Sequence, residues 1–368
     1  FAWDFAHFVT ESIYEMGSSV KRISAILLAA LGVLVVIGAF RLANRSEEPR
    51  RDSVEPRAPT IEVPTPQATT SPQSEPAHGI RVVATNLEIP WALAFAPDGA
   101  LYVTERSGRL VRIRDGTVEK VSDIPDVAHV GEGGLLGLAL DPRFSENQFL
   151  YLYHTYDAHG LKNRVVRYRV TNEGLKDQKI LLDAIPGAQF HDGGRIAVGP
   201  DGNLYVTTGD ASNGDLAQRL DSLAGKILRI RSDGAIPADN PFPGSPVYSL
   251  GHRNPQGLAW SVDGKLYSTE HGPSGPGSNC CHDEINIIEA GKNYGWPTKV
   301  GWSSPPDPVF VSPLGESGAN ATWAPGGAAV LGDTLYFGGL RGEGLYPFDL
   351  ILKGHGAYMN PYLYFRKQ

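Results

Sequence analysis

A histidine and an aspartate at the ends of neighbouring strand-like segments are spaced to act together. His191 lies in the segment Phe190–Arg195, just before one such strand, and Asp210 closes the segment Thr207–Asp210 at the end of the next. A carboxylate beside an imidazole fixes the tautomer of the ring and raises its basicity. Although an isolated histidine in a turn is usually structural, this spacing supports the hypothesis of a His–Asp general base.

Three further segments carry groups suited to binding. In the loop Leu250–Gly257, the guanidinium of Arg253 is suited to stabilising developing negative charge. The glycines of Gly131–Gly134 indicate either a close approach of the backbone to a ligand or a tight turn. The segments Glu270–Pro273 and Asp283–Asn286 offer carbonyl and carboxylate oxygens, the ligands that Ca²⁺ prefers, although an acidic pair is often only solvated surface.

Composition and missing motifs exclude several classes of function. The chain has 368 residues, of which 41% are hydrophobic and 20% charged, so it can form a sizeable core. A net charge of −7 without a Lys/Arg cluster argues against nucleic acid as a partner. The sequence contains no nucleotide-binding glycine motif, no Gly-x-Ser-x-Gly elbow and no His-Glu-x-x-His. A small neutral or cationic ligand fits this composition better.

The elements that must position these residues belong to an internal repeat. A strand-like core, preceded in most copies by an Asp-Gly turn, occurs five times at intervals of 49 to 69 residues, with its leucine at Leu101, Leu150, Leu204, Leu266 and Leu335. Such spacing, with several short strands in each unit, predicts an all-β propeller with four-stranded blades. The stretch after the fifth copy lacks a further core, so we expect the last blade to be missing or incomplete.

Upstream of the repeats, the sequence predicts a membrane attachment and a spacer. Residues 1–22 form an N-terminal flank whose natural start is Met16, and residues 23–42 contain an uncharged apolar run that favours a transmembrane or signal-anchor helix. A cleaved signal peptide and secretion are the alternative. The proline-rich residues 43–79 predict a disordered linker, and residues 80–368 the propeller.

The two cysteines, Cys280 and Cys281, are adjacent in the sequence. A disulfide between neighbours requires a strained eight-membered ring, so two free thiols are at least as probable. A redox or rigidifying role for the pair is a hypothesis.

Five ordered motifs give the chain a family resemblance from about Ile80 to about Leu350. They are IPWALAFAPDGALYVTERSGRL, GEGGLLGLALDPRF, FHDGGRIAVGPDGNLYVTTGD, YSLGHRNPQGLAWSVDGKLYSTEHGP and DEINIIEAGKNYGWP. Here the chain resembles the soluble quinoprotein glucose dehydrogenases and the related aldose sugar dehydrogenases. The resemblance implies a six-bladed propeller that uses pyrroloquinoline quinone.

The resemblance also implies roles for individual residues. His191 would be the general base that removes the proton of the anomeric hydroxyl as hydride passes to the quinone, and Asp210 would orient it. Arg253 would polarise a quinone carbonyl and Asn254 would bind the cofactor.

For the metal, the resemblance implies that the carbonyls of Gly272 and Pro273 hold the Ca²⁺ that ligates the quinone. A further Ca²⁺ site would draw on Glu284 and the carbonyl of Tyr294.

The sequence departs from the family pattern at several points. Glu132 stands where relatives can carry Gln, which alters the charge around His191, and Arg341 stands where relatives place a basic residue near the quinone carboxylates. The final blade of the relatives, with its Arg-x-Arg-like segment, has no counterpart here.

These features together predict oxidation of an aldose sugar at C1 to its lactone. Electrons would pass to a membrane quinone or a periplasmic carrier. The propeller would lie on the periplasmic or extracellular side, tethered to the cell membrane by its N-terminal helix. Two alternatives are a non-catalytic extracellular propeller that binds ligands, and a Ca²⁺-dependent propeller lactonase or hydrolase.

Overall fold

The Asp-Gly turns of the repeat reverse the chain between two strands. In the computed structural model, which describes residues 82–274, 280–301, 308–319 and 321–351, Gly99, Gly202 and Gly264 have φ angles of +84°, +76° and +82°. Glycine adopts this left-handed conformation without steric cost, so each turn closes a hairpin. In all five copies of the repeat, a strand begins at the repeat leucine or one residue before it.

The described residues form five antiparallel sheets, each built from strands that are consecutive in the chain. The first contains β1 (Pro90–Phe95), β2 (Leu101–Glu105), β3 (Arg109–Arg114) and β4 (Thr117–Asp123). The second contains β5 (Leu135–Leu140), β6 (Phe149–Asp157), β7 (Leu161–Thr171) and β8 (Gly174–Pro186). The third contains β9 (Ile196–Val198), β10 (Leu204–Thr208), β11 (Lys226–Ile230) and β12 (Val247–Leu250).

The fourth sheet contains β13 (Pro255–Trp260), β14 (Leu266–Glu270), β15 (Glu284–Ile288) and β16 (Gly315–Glu316). The fifth contains β17 (Pro325–Leu331), β18 (Thr334–Gly339) and β19 (Gly344–Asp349). The helix α1 (Phe144–Asn147) lies between β5 and β6, and a 3-10 helix, Gly214–Gln218, lies between β10 and β11.

The first strands of successive sheets, β1, β5, β9, β13 and β17, contact one another in that order. Each sheet therefore runs outward from an inner strand, which is the arrangement of propeller blades. The prediction of an all-β propeller is confirmed by the five described blades.

Strand β6 shows how apolar side chains hold neighbouring blades together. Leu150 and Leu152 pack into a cluster with the first sheet, whereas Tyr151 and Tyr153 pack into a cluster with the third. All four are fully buried. Because alternate side chains of a strand point to opposite faces, a strand buried on both faces has a continuous apolar sequence. Full burial of each such side chain contributes about 1.5–3 kcal/mol.

Several predictions concern residues outside the described ranges. These are the flank 1–22, the anchor 23–42, the linker 43–79, and residues 352–368 after the fifth repeat, where we expect the last blade to be missing or incomplete. Among the residues that the structure describes, no helix has the length and apolar character needed to cross a membrane.

Candidate active site

The predicted site residues converge at one edge of the sheets. We call the edge at which the inner strands β1, β5, β9, β13 and β17 begin the top face, and the edge at which they end the bottom face. Because neighbouring strands are antiparallel, β10 and β14 end at the top face, where β5, β9 and β13 begin. The loops that precede inner strands therefore meet the residues that follow β10 and β14.

His191 and Asp210 form the predicted pair. The His191 Nδ1 lies 2.8 Å from the Asp210 Oδ1. The Asp210 side chain is only 2% exposed, whereas that of His191 is 18% exposed. An ionised carboxylate only accepts hydrogen bonds, so Nδ1 carries the hydrogen and Nε2 is left as the acceptor. Within the described part of the chain, Nε2 has no hydrogen-bond partner.

The backbone of His191 is held as firmly as its ring. Its φ of +65° lies in the left-handed region, which is costly for a residue with a side chain. The backbone N–H donates to the Glu132 Oε2 at 2.9 Å, and the carbonyl accepts from the Ala211 N–H at 3.2 Å. A Cβ on Gly209 would lie 1.9 Å from that carbonyl oxygen. Glu132 thus contacts the predicted base through its backbone, and Gly209 makes room for it.

Asp210 accepts a hydrogen bond from Trp296, which the sequence did not predict. The indole Nε1 of Trp296 donates to the Asp210 Oδ2 at 2.7 Å, and the Ser212 N–H donates to Oδ1 at 2.8 Å. Trp296 is in the motif NYGWP, which carries the resemblance, but nothing in its spacing indicated a contact 86 residues away. These donors hold the Asp210 carboxylate in position next to His191.

Arg253 is a buried cation beside this pair. It is 7% exposed, its guanidinium carbon lies 5.4 Å from the centroid of the Trp296 ring, and its Nη1 donates to the His271 carbonyl at 3.3 Å. Burial lowers the pKa of Arg253, while Asp210 and Glu270 act in the opposite direction. No carboxylate of the described residues forms an ion pair with it. The guanidinium is therefore available to an anionic or carbonyl oxygen of a ligand.

Asn254 connects three segments of the site. Its Oδ1 accepts from the Gly193 N–H and from the Gln256 Nε2, both at 3.0 Å. Its Nδ2 donates to the Glu132 Oε2 at 3.3 Å. The side chain is fully buried. Asn254 thus fixes the loop of His191 relative to Glu132, and its cofactor contact stays a prediction.

The four predicted metal ligands lie together. Gly272, Pro273, Glu284 and Tyr294 line one cavity at the top face, and Arg253 also lines it. Burial and the nearby Glu270 raise the pKa of Glu284 to about 8. No cluster of three or more His, Cys, Asp or Glu side chains suited to a metal occurs in the described ranges. The predicted set takes its other oxygens from the backbone, and calcium stays a prediction.

Asp283, the neighbour of Glu284, has a structural partner set. Its Oδ1 accepts from the Gly272 N–H at 2.9 Å, and its Oδ2 accepts from Trp323 N–H at 2.7 Å and Ala324 N–H at 2.9 Å. The two members of the predicted Asp-Glu pair therefore have different roles. Asp283 links the loop of Gly272 to the segment that precedes β17, and Glu284 lines the cavity.

The remaining features flank this arrangement. A disulfide joins Cys280 and Cys281, so the thiols are not free in this structure. A Cβ on Gly272 would lie 1.9 Å from the Cys281 carbonyl oxygen, so the two segments are in direct contact. Arg341 lies between β18 and β19 at the top face, where it is exposed and has no hydrogen bond to the described residues.

Comparison with known proteins identifies a matching family and several relatives. The family model for glucose/sorbosone dehydrogenases matches residues 87–304. Quinoprotein glucose dehydrogenase B of Acinetobacter calcoaceticus is 36% identical over 258 residues, which are 60% of this chain and 53% of that protein. The aldose sugar dehydrogenase of Escherichia coli is 36% identical over 235 residues, which are 59% of this chain and 61% of that protein. This chain therefore spans less than two thirds of the length of each of these relatives.

Among solved structures, the chain is similar to the form of aldose sugar dehydrogenase from Streptomyces coelicolor that binds pyrroloquinoline quinone. The TM-score is 0.70 at 38% identity, over 77% of this chain and 84% of that one.

Proposed function

Because this chain belongs to the glucose/sorbosone dehydrogenase family, we propose that it oxidises an aldose sugar at C1 to the lactone, with pyrroloquinoline quinone and Ca²⁺ as cofactors. The observation that carries the proposal is the His191–Asp210 contact of 2.8 Å, with His191 partly exposed at the top face. Similarity to quinoprotein glucose dehydrogenase and aldose sugar dehydrogenases supports the sugar substrate and the quinone cofactor. The geometry of the site supports the roles of the individual residues.

His191 acts as the general base. Its Nε2 takes the proton of the anomeric hydroxyl, and the positive charge that then develops on the ring is stabilised by the Asp210 carboxylate at Nδ1. Trp296 and Ser212 keep that carboxylate oriented through their donors to its two oxygens. Because the backbone of His191 is fixed by Glu132, the ring does not need to be ordered when substrate binds.

When bound, the quinone would supply the acceptor for the hydride of the sugar C1, and Ca²⁺ would supply Lewis acidity. Arg253, Asn254 and Arg341 would hold the quinone, and Gly272, Pro273, Glu284 and Tyr294 would hold Ca²⁺. The residues present fit these groups: Arg253 is a buried cation without an ion-pair partner among the described residues. The buried carboxylates of Glu270 and Glu284 carry repulsion that a divalent cation would offset.

The proposal extends to the surroundings of the protein. Residues 23–42 would anchor the chain in the cell membrane, with the propeller on the periplasmic or extracellular side. A membrane quinone or a periplasmic carrier would then receive the electrons.

The test uses the full chain with a matched pair of substitutions. The chain is reconstituted with pyrroloquinoline quinone and Ca²⁺, bound quinone is measured by absorbance, and dye reduction is assayed with a panel of aldoses. We expect turnover in the wild type and a decrease in kcat of about 10²–10⁴-fold in His191→Asn. His159→Asn is the control, since His159 is exposed and also has a positive φ, which asparagine tolerates.

Three outcomes would count against the proposal. Absence of both quinone binding and dye reduction would reject it. Quinone binding without turnover on any sugar would favour a non-catalytic binding protein. Equal kcat in His191→Asn and wild type would remove the general base.

A further inference from the structure

A second cavity, of about 350 Å³, lies between the third and fourth blades at the bottom face. It is bordered by the turn after β9, which contains Asp201, and by the turn after β13, which contains Gly264. His191 and Asp210 lie at the other ends of β9 and β10. The cavity is therefore separated from the candidate active site by the length of the strands, and none of the roles proposed above uses it.

Three aromatic rings form the floor of this cavity. The Tyr205 ring centroid is 5.2 Å from that of Tyr248 and 5.2 Å from that of Trp260, with interplanar angles of 79° and 73°. Tyr205 is 6% exposed and supports the other two, which are only partly buried. Edge-to-face pairs of this kind are stabilising. Tyr248 and Trp260 thus present apolar surface to the cavity.

Charged side chains behind the floor fix the rings in place. The Arg229 guanidinium lies 6.0 Å from the centroids of both tyrosine rings. It donates from Nε to the Asp201 Oδ2 at 2.9 Å, and from Nη1 and Nη2 to the two oxygens of Asp239, each at 3.0 Å. The Tyr205 hydroxyl also donates to the Asp201 Oδ2, at 3.1 Å. A floor held by such bonds is ordered before any ligand arrives, which lowers the entropic cost of binding.

The rim of the cavity is polar and on balance negative. Asp201, which is paired with Arg229, and Glu289 border it, and the Glu289 carboxylate has no hydrogen-bond or ion-pair partner among the residues that the structure describes. The cation at the rim, Lys265, is already paired with Asp263 at 2.5 Å. This charge disfavours phosphate, carboxylate and nucleic acid ligands.

We propose that this bottom-face cavity is a saccharide-binding site for a neutral sugar. A sugar ring has an apolar face of C–H groups, which suits the Tyr248 and Trp260 surfaces, and a periphery of hydroxyls, which suits the Glu289 carboxylate at the rim. Cavities of a few hundred Å³ with an apolar floor and a few polar groups are typical of small-ligand sites. Saccharide binding at this site does not depend on oxidation at the top face. The site would keep the protein near a glycan while a separate sugar is oxidised at the top face.

The test measures saccharide binding by calorimetry on the full chain without added quinone. The probes are glucose, xylose, cellobiose, maltotriose and glucuronate. We expect at least one neutral sugar to bind, and its Kd to rise tenfold or more in Trp260→Ala. The control is Phe95→Ala, because Phe95 is an aromatic residue that is 72% exposed on β1 and does not line the cavity.

A second variant keeps the test decisive should Trp260→Ala not fold. Glu289→Gln replaces an exposed side chain, so the fold is retained, and we expect it to weaken neutral-sugar binding at least threefold. Three results would overturn the proposal: no binding of any neutral sugar at millimolar concentration, unchanged binding in Glu289→Gln when Trp260→Ala either binds unchanged or does not fold, or tighter binding of glucuronate than of glucose. Because catalysis is not the readout, failure here leaves the proposed oxidation untouched.

Discussion

At the scale of single residues, Asp192 is the least satisfied group near the candidate base. It is 1% exposed, and its Oδ1 accepts from the Asn163 Nδ2 at 2.9 Å and from the Ala188 N–H at 3.2 Å. Its Oδ2 is buried without a partner in the described ranges. Burial, and to a lesser extent Glu132, raises the pKa of Asp192 to about 6, against hydrogen bonds from Asn163 and Ala188 that lower it. Below about pH 6, the carboxyl group of Asp192 is therefore mainly protonated in the folded state.

This residue predicts a specific pH dependence of stability. In the unfolded chain the pKa of an aspartate is about 3.9, so between pH 4 and pH 6 the folded protein binds more protons than the unfolded one. Asp192 therefore contributes stability at acid pH that is lost as pH rises through about 6. From pH 4 to pH 7, the wild type should lose about 2 kcal/mol of its free energy of unfolding through Asp192. Asp192→Asn lacks this titrating group, so its free energy of unfolding should rise by about that amount relative to the wild type over the same range.

Urea unfolding of both proteins at pH 4, 5, 6 and 7 measures this difference. Asparagine keeps the acceptor oxygen for Ala188, so the loop before His191 should remain in place. Two stability curves that stay parallel across the range would contradict the prediction.

Only part of the candidate site could be predicted from the sequence. His191 and Asp210 were predicted to meet because both flank strands that are adjacent in the chain, so their contact depends on local topology. Trp296 reaches Asp210 from another blade, and Asp283 binds backbone donors of Trp323 and Ala324. Such contacts depend on how blades pack together, which no spacing within one repeat encodes.

At the level of secondary-structure elements, the connection after β10 packs tightly against the loop of His191. A Cβ on Gly209 would lie 1.9 Å from the His191 carbonyl oxygen and 2.3 Å from its carbonyl carbon. Gly209→Ala must therefore displace the His191 loop. We expect a loss of about 1–3 kcal/mol in the free energy of unfolding and at least a tenfold loss of dye reduction.

Gly338→Ala on β18 is the matched control, because a Cβ there meets nothing within 4 Å. Its stability should stay within about 0.5 kcal/mol of the wild type. Thermal unfolding and dye reduction test both variants together. A fully active Gly209→Ala would mean that the carbonyl contact does not position the base.

The strands themselves were largely predictable, for a physical reason. Each Asp-Gly turn imposes a reversal, and strands buried on both faces, such as β6, read as continuous apolar runs. Shorter elements carry weaker signals: β16 is only two residues long, Gly315–Glu316, and forms because Glu284 and Ile285 of β15 pair with it. The sequence could not predict such an element, because its pairing partner alone defines it.

At the scale of the whole molecule, the two faces of the propeller are separated by the strands that connect them. The top face gathers loops from the second, third and fourth blades, and the bottom-face cavity lies between the third and fourth. A substitution at Trp260 should therefore leave catalysis intact, and one at His191 should leave sugar binding at the bottom intact, because distant sites without shared partners behave additively.

Attachment to a membrane is the property of the whole chain that the sequence predicts most directly. A charged residue at the centre of a membrane span costs about 2.5–3.5 kcal/mol. The double substitution Leu31→Lys/Leu34→Lys within residues 23–42 should therefore move the full chain from the membrane fraction to the soluble fraction. The same chemical change in the linker, Ile61→Lys/Val63→Lys, is the control and should leave it in the membrane fraction. Recovery of the wild type as a soluble protein, with a new N-terminus after the apolar run, would show instead that the segment is a cleaved signal peptide and that the protein is secreted.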